Sequence, residues 1–425
     1  MRFTGGVVSR PLQRRARMGP AMTDTSPGRD VAFDPDDWDM RRNAPMTYAA
    51  MREHCPVAHS TSLGGFWTIA RYEDVFAAAR DPATFSSASG VMIPPLEFDA
   101  RLLPMESDPP FHSDLRRALI SFFSPRQIEP LEPLVRSLAN DLLDPMLTEG
   151  IHDLSSDYAW RIPTAMTCHL LGITPLDQFH EWAEQIVYGR AKDPESAAAA
   201  SQAAWSYIDR VVEARESRPG TDLISTVLGA HVQGRRLSRK EAADTSFFLF
   251  LAGLDNTAFA IRASLLSLAE ERSLRERLRE EPALLPSLVE EWLRLSSPVP
   301  GLCRLTTRDV ELGGVAVPAG ERVYLMWGSA NRDPREFVDP DALIPDRLPN
   351  RHMAFGVGIH RCLGAPLARL EIRVAIEQVL TRARDLDFDF ELGASGQVEP
   401  IGLGPLPIQF VRRNATSPLI LAERP

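Results

Sequence analysis

The residues best placed to do chemistry in this chain lie in the stretch Phe355-Gly356-Val357-Gly358-Ile359-His360-Arg361-Cys362-Leu363-Gly364. Two glycines there permit a tight turn just ahead of a cysteine, and the residues after it take up helical period. A cysteine at a helix N-terminus is held ionised by the helix dipole and by free backbone N–H groups, and the thiolate is the form that binds metal. The glycines also let backbone approach a flat ligand closely. A lone cysteine is more often a buried structural residue. Cys55, Cys168 and Cys303 are scattered with no Cys-x-x-Cys pair, so neither a disulfide framework nor a cysteine zinc site is indicated.

Three other groups of polar residues sit where helices are expected. Ser238 to Arg272 reads as one long helix, opened by a capping box of Ser238 and Glu241. Its apolar run Phe247 to Leu254 is interrupted by Gly253 and followed by Asp255, Asn256 and Thr257. Polar side chains beside such a run need a reason, although hydroxyl and amide groups can simply bond back to the preceding turn. After Asp108-Pro109-Pro110, a proline-started helix presents His112 and Arg116 one turn apart, by themselves an ordinary polar face. Glu291 and Arg294 share a helix face at i, i+3, a spacing usually worth a few tenths of a kcal/mol in solvent.

The cysteine stretch meets every fixed position of Phe-Gly-x-Gly-x-His-x-Cys-x-Gly, the haem signature of the cytochromes P450, and the chain resembles that family from about Val31 to Val411. The resemblance implies a mainly α fold with small β-sheets, haem b (iron protoporphyrin IX) lying between a long central helix and the helix after the cysteine loop. It makes Cys362 the axial iron ligand within a loop shaped by Phe355, Gly356, Gly358 and Gly364. His360, His112, Arg116 and Arg304 become partners of the haem propionates, since buried carboxylates need such cations. An anionic thiolate pushes electron density onto iron, and backbone N–H groups on the sulfur tune it. Glu291 and Arg294 become a structural clamp closed by Arg347.

In the same comparison Ala252-Gly253-Leu254-Asp255-Asn256-Thr257 resembles the family's oxygen-binding groove, Ala-Gly-x-acid-Thr-Thr, with Gly253 leaving room for dioxygen. Asp255 keeps the acid, but Asn256 replaces the threonine that helps deliver protons. Thr257 matches the second threonine, yet one residue along a helix turns by about 100°, so it does not take over that position. An amide can order water but has no useful acid pKa. The implied activity is insertion of one oxygen atom from O2 into a small to medium hydrophobic substrate, by hydroxylation or O-dealkylation. An oxygen-bearing substrate contacting Asn256 would complete the proton relay. The alternatives are a peroxide-driven haem enzyme and a non-catalytic haem-containing partner in a biosynthetic assembly. Substrate contacts are expected from Val91, Phe248, Leu251, Val299, Leu302 and Leu403, which are all apolar.

These groups must be positioned by helices expected at Tyr72 to Arg80, Pro125 to Leu147, Gln178 to Gly189, Ala197 to Ser217 and Leu363 to Arg384. Strands are expected at Phe66 to Ala70, at Val310 to Leu312 turning through Gly313-Gly314 into Val315 to Val317, at Arg322 to Trp327, and at Leu386 to Leu392. The 425 residues divide into a basic N-terminal segment, 1–30, expected to be disordered, and one haem domain, 31–425. Residues 1–22 carry five arginines and no acid but lack a secretory apolar core, and Met22 is an alternative start. A net charge of −10 argues against a nucleic-acid or anionic-membrane binder, and no apolar run reaches the length of a span, so a cytoplasmic protein is expected. No stretch is left for a reductase domain, which implies electrons from a ferredoxin and its NAD(P)H-dependent reductase. Arg116, Arg117, Arg361 and Arg369 are expected to form a positive patch that steers this donor.

Overall fold

The apolar-periodic stretches form the helices that carry the polar groups above. A computed structural model describes residues 28–95, 98–148, 150–190, 192–385, 388–392 and 404–412. The principal helices are α1 (Phe111–Ile120), α2 (Glu132–Leu143), α3 (Arg161–Leu171), α4 (Pro194–Ser217), α5 (Arg239–Ala252), α6 (Asn256–Glu270), α7 (Leu285–Ser296) and α8 (Ala365–Asp385). Helix α6 buries Ala258, Ile261, Leu265 and Leu268 against α7 and α8, and α8 buries Ile372, Ala375, Ile376 and Val379 in return. Helices apolar on nearly every side belong in a core. The stretch Arg239–Glu270 has the length and composition of a membrane span, but 67% of its most apolar 18-residue window is buried inside the protein.

Six strands form the largest sheet: β1 (Asp30–Val31), β2 (Val57–Ser60), β3 (Phe66–Ile69), β4 (Phe85–Ser86), β5 (Leu302–Thr306) and β6 (Arg322–Leu325), in the order β1-β2-β3-β6-β5-β4. In the antiparallel β5–β6 ladder Arg304 stands opposite Val323 and Cys303 opposite Tyr324. This register fixes Arg304 within a strand. The hairpin at Val310–Leu312 and Val315–Val317 turns through Gly313 (φ +53°) and Gly314 (φ +83°), the backbone a two-residue hairpin requires. Gly150–Asp153, Phe388–Leu392 and Pro407–Arg412 make a three-stranded sheet.

Several boundaries differ from those expected. Pro125 to Leu147 is not one helix: Pro130 and Pro145 sit in 3₁₀ turns on either side of α2, each removing a backbone donor. Gln178 to Gly189 is α-helical only to Ala183 and then widens into a π-helix over Glu184–Gly189. Helix α4 starts three residues early, where the Asp193 carboxylate accepts from Ser196 N–H at 3.1 Å and Pro194 occupies the first turn. The strand from Arg322 stops at Leu325, and Trp327 opens a short helix. Leu386 and Asp387 lie outside the described residues, as do Leu403 and residues 1–27.

The largest correction concerns Ser238 to Arg272. The capping box is present, with Glu241 N–H donating to Ser238 Oγ at 3.2 Å and Ser238 N–H to Glu241 Oε2 at 2.7 Å. The helix nevertheless breaks after Ala252 and restarts at Asn256. Gly253 and Leu254 N–H close back onto Phe250 O and Leu251 O, both at 3.3 Å, in tight i→i−3 turns. The Gly253 carbonyl that this frees accepts instead from Thr167 Oγ1 of α3 at 2.9 Å.

Candidate active site

The helix break, the cysteine loop, α1 and β5 all open on one cavity of about 800 Å3. Gly356 (φ +65°) and Gly358 (φ +73°) turn the chain, and Cys362 N–H donates to Phe355 O at 2.8 Å. A Cβ on Gly358 would lie 2.4 Å from Ala79 O, so glycine there is required by packing behind the cavity rather than within it. The Cys362 side chain is surrounded by protein, and its exposure is to the cavity. Burial pushes the thiol up, while Gly364 and Ala365 N–H groups, Arg116 and Arg369 oppose this by favouring the thiolate.

Facing the loop is a group of buried bases and cations. His112 is 1% exposed and neither ring nitrogen has a partner. Burial and Arg116 depress it to about 4. The His360 ring lies 4.3 Å from that of His112, with Nε2 3.1 Å from Ser87 Oγ. Burial, then Arg304, His112 and Arg116, push His360 down to about 2. Arg304, 4% exposed, donates to Cys303 O at 2.7 Å and is lowered by burial to about 10. Arg116 donates to Arg361 O and is likewise lowered by burial. Asp108, the carboxylate acting on His112 and Arg304, is tied to Ser86 Oγ and to Ser87 N–H. Like charges confined in this way are relieved by a dianion, and they fit a group bearing two carboxylates beside the thiol.

At the break, Asp255 is 3% exposed and burial raises it to about 6, against hydrogen bonds from its own N–H, from Asn256 N–H and from Tyr188. Asn256 and Thr257 follow on the same cavity wall, with Ala252 and Gly253 before them. The position a Gly253 side chain would fill is taken by Thr167, whose Oγ1 is 2.3 Å from an added Cβ. Val91, Phe248, Leu251, Val299 and Leu302 also line the cavity.

Glu291, Arg294 and Arg347 lie away from the cavity and form a buried clamp. Arg294 donates twice to Glu291 at 2.8 Å, and Arg347 Nε reaches both carboxylate oxygens at 3.0 and 3.1 Å. Both Glu291 and Arg294 are 0% exposed, so this is no solvated pair. Burial alone would raise Glu291, but Arg294, Ile344 N–H and Arg347 hold it below the usual range. Arg294 also donates to Asn331 O at 2.8 Å; Asn331 accepts from Met353 N–H at 2.6 Å and donates to Ser297 Oγ at 2.9 Å. The clamp thereby braces the chain leading to Cys362.

Of the four arginines expected to form a patch, two are already paired. Arg369 is bidentate to Glu290 at 2.6 and 2.7 Å and lies over the Phe355 ring, and Arg117 pairs with Asp114 at 2.8 Å. Arg116 and Arg361 remain. Thr167, Tyr188 and Arg190 are cavity residues that no sequence signal marked.

Comparison with known proteins agrees with this geometry. The cytochrome P450 family model matches residues 179–413. The chain is 36% identical to cytochrome P450 107B1 of Saccharopolyspora erythraea over 80% of its length and 87% of that protein's. It is 35% identical to mycinamicin IV hydroxylase/epoxidase of Micromonospora griseorubida, over 79% and 87% of the two chains. The crystal structure of CYP109E1 from Bacillus megaterium in complex with testosterone superposes with a TM-score of 0.79 at 31% identity, covering 88% of this chain and 99% of that one. The chain therefore belongs to the cytochrome P450 family, whose members are haem b oxidoreductases, and it is a monooxygenase of that class.

Proposed function

We propose that this chain inserts one oxygen atom from O2 into a hydrophobic, oxygen-bearing substrate, by hydroxylation or O-dealkylation in the cytoplasm, with electrons from a ferredoxin and its NAD(P)H-dependent reductase. The observation that carries the reading is the single cavity that joins a thiol under backbone N–H groups, a wall of buried bases and cations, and an acid at a helix break. In this reading the Cys362 thiolate would hold the haem iron, and His112, Arg116, Arg304 and His360 would hold the propionates. Haem b, once bound, supplies activation of dioxygen, favoured by electron density from sulfur. Asp255, raised to about 6, takes up and returns a proton near neutral pH, where a general acid works best. Asn256 orders water or a substrate oxygen without relaying a proton itself. The Glu291 clamp is structural.

The apolar wall of Val91, Phe248, Leu251, Val299 and Leu302 supports a substrate with few polar handles. The names of the relatives, one a mycinamicin hydroxylase/epoxidase and one solved with testosterone, support a molecule of macrolide or steroid size. Arg361, which is exposed, is the residue offered to an acidic electron donor. Asn256 also favours a second reading, in which peroxide is the better oxidant. The test is the spectrum of the reduced protein under carbon monoxide beside Cys362→Ser. A strongly red-shifted band lost in the variant is expected; a histidine-type spectrum, or no haem, overturns the reading.

A further inference from the structure

Glu290 and Glu291 are neighbours on α7, about 100° apart around its axis, so their side chains serve different sides of the helix. Glu291 closes the clamp, whereas Glu290 reaches α8 and the chain leading to Cys362. Its carboxylate takes both prongs of Arg369 at 2.6 and 2.7 Å and accepts from His352 Nε2 at 3.0 Å. We propose that Glu290 is a positioning residue for the cysteine loop: it holds Arg369 and His352 against Phe355, offsets the guanidinium charge behind Cys362, and so sets the reduction potential of the bound haem. The proposal rests on the reading of Cys362 as the haem ligand.

Three side chains meet behind a single loop residue. The Arg369 guanidinium lies 4.5 Å from the centre of the Phe355 ring, and the His352 ring centre lies 6.1 Å from it. Phe355 is joined in turn to the cysteine, because its carbonyl accepts Cys362 N–H at 2.8 Å. Glu290, His352 and Arg369 do not line the cavity, so they act from behind the loop rather than on a substrate. His352 is held in one tautomer. Its Nδ1 accepts from Ala354 N–H at 3.2 Å, so Nε2 carries the proton that Glu290 receives. The trio therefore contains one negative and one positive charge, fixed by a two-pronged pair whose geometry leaves the guanidinium little freedom.

Stability alone does not account for this arrangement. The Glu290 and Arg369 side chains are 27% and 33% exposed, and ion pairs with that much access to water add little to folding. What the pair fixes is a field. Unopposed, the guanidinium would favour the reduced site, which carries one more negative charge than the oxidised one. A carboxylate bound directly to that guanidinium cancels much of the effect, and groups beyond the ligand tune a metal in this way.

The experiment uses the full-length, haem-loaded protein as wild type, Glu290→Gln, Arg369→Gln and the double variant, each titrated spectroelectrochemically at one neutral pH. The carbon monoxide band reports thiolate ligation, and the urea midpoint reports the fold. Glu290→Gln leaves Arg369 unopposed and is expected to shift the reduction equilibrium upward by about threefold or more, which is about 28 mV for one electron. Arg369→Gln leaves Glu290 unopposed and is expected to shift it downward by a similar factor. The double variant, and Glu290→Asp, which keeps the charge, should stay within about threefold of wild type. Damage to the loop would move both single variants the same way and would not cancel. Single variants that shift less than this or in one direction, or a Glu290→Gln shift that survives in the Arg369→Gln background, overturn the role of Glu290. Should Glu290→Gln not hold haem, the sign of the Arg369→Gln shift decides: any direction but downward overturns the role. A wild-type protein with no thiolate band overturns the reading of Cys362, and the role of Glu290 falls with it.

Discussion

Substituting Gly253→Ala tests the account of the helix break. An added Cβ lies 2.3 Å from Thr167 Oγ1, 2.9 Å from its Cγ2 and 3.2 Å from its Cβ. Contacts that short do not survive, so Thr167, 7% exposed on α3, must rotate or α3 must move. Overpacking of this kind costs about 1–3 kcal/mol. Rotation also withdraws the donor from Gly253 O, adding about 0.5–1.5 kcal/mol. Alanine recovers at most about 1 kcal/mol of helix propensity, and less at a position already outside regular helix. The net expectation is about 2 kcal/mol of destabilisation, read as a lower urea midpoint of the haem-loaded protein at constant slope. Thr167→Ala alone should cost about 1 kcal/mol for the lost hydrogen bond. In the double variant the two nearest atoms are gone, so the pair should be less damaged than the sum of its parts by about 1–2 kcal/mol. A Gly253→Ala protein as stable as wild type, or singles that add within about 0.5 kcal/mol, refutes the argument that Thr167 fills the space beside this glycine.

Three further outcomes follow from the geometry. Arg294→Leu leaves Glu291 buried without its two-pronged partner and the Asn331 and Pro340 carbonyls without that donor, so urea unfolding should show a loss of about 3–5 kcal/mol; a loss under about 1 kcal/mol would mean that the clamp acts like a surface pair. Asn256→Thr should change the coupling of NAD(P)H consumption to product, with the largest gain for substrates lacking an oxygen near residue 256, and unchanged coupling for every substrate counts against that contact. Asp255 is raised from 3.8 to about 6 in the fold, so the folded state holds its proton more tightly and loses stability as pH rises through that window. Two units correspond to about 3 kcal/mol, so Asp255→Asn should be about that much more stable than wild type at pH 8 and equal to it near pH 4; a difference independent of pH would count against burial as the cause.

How far the sequence could be read depended on whether a feature is local. The cysteine loop was legible because its glycines, its histidine and its cysteine are contiguous and their chemistry depends on that spacing. The proline-split helix around α2 carried its own signal in Pro130, Pro133 and Pro145, which outweigh an apolar period. The break at Gly253 carried almost none. The apolar pattern runs on through Leu254, and the group that takes the freed carbonyl is Thr167, 86 residues earlier. Arg190 was invisible for the same reason, since its partner Asp36 is near only after folding. Glu291 and Arg294 showed their shared face but not their burial, which depends on the loop 338–350 closing over them.

The brace behind Cys362 bears on the order in which this protein is assembled. Glu291, Arg294, Arg347, Asn331 and Met353 hold one another without using any atom that faces the cavity. The seat for sulfur can therefore stand before a cofactor arrives, in a chain that has folded but not yet been loaded.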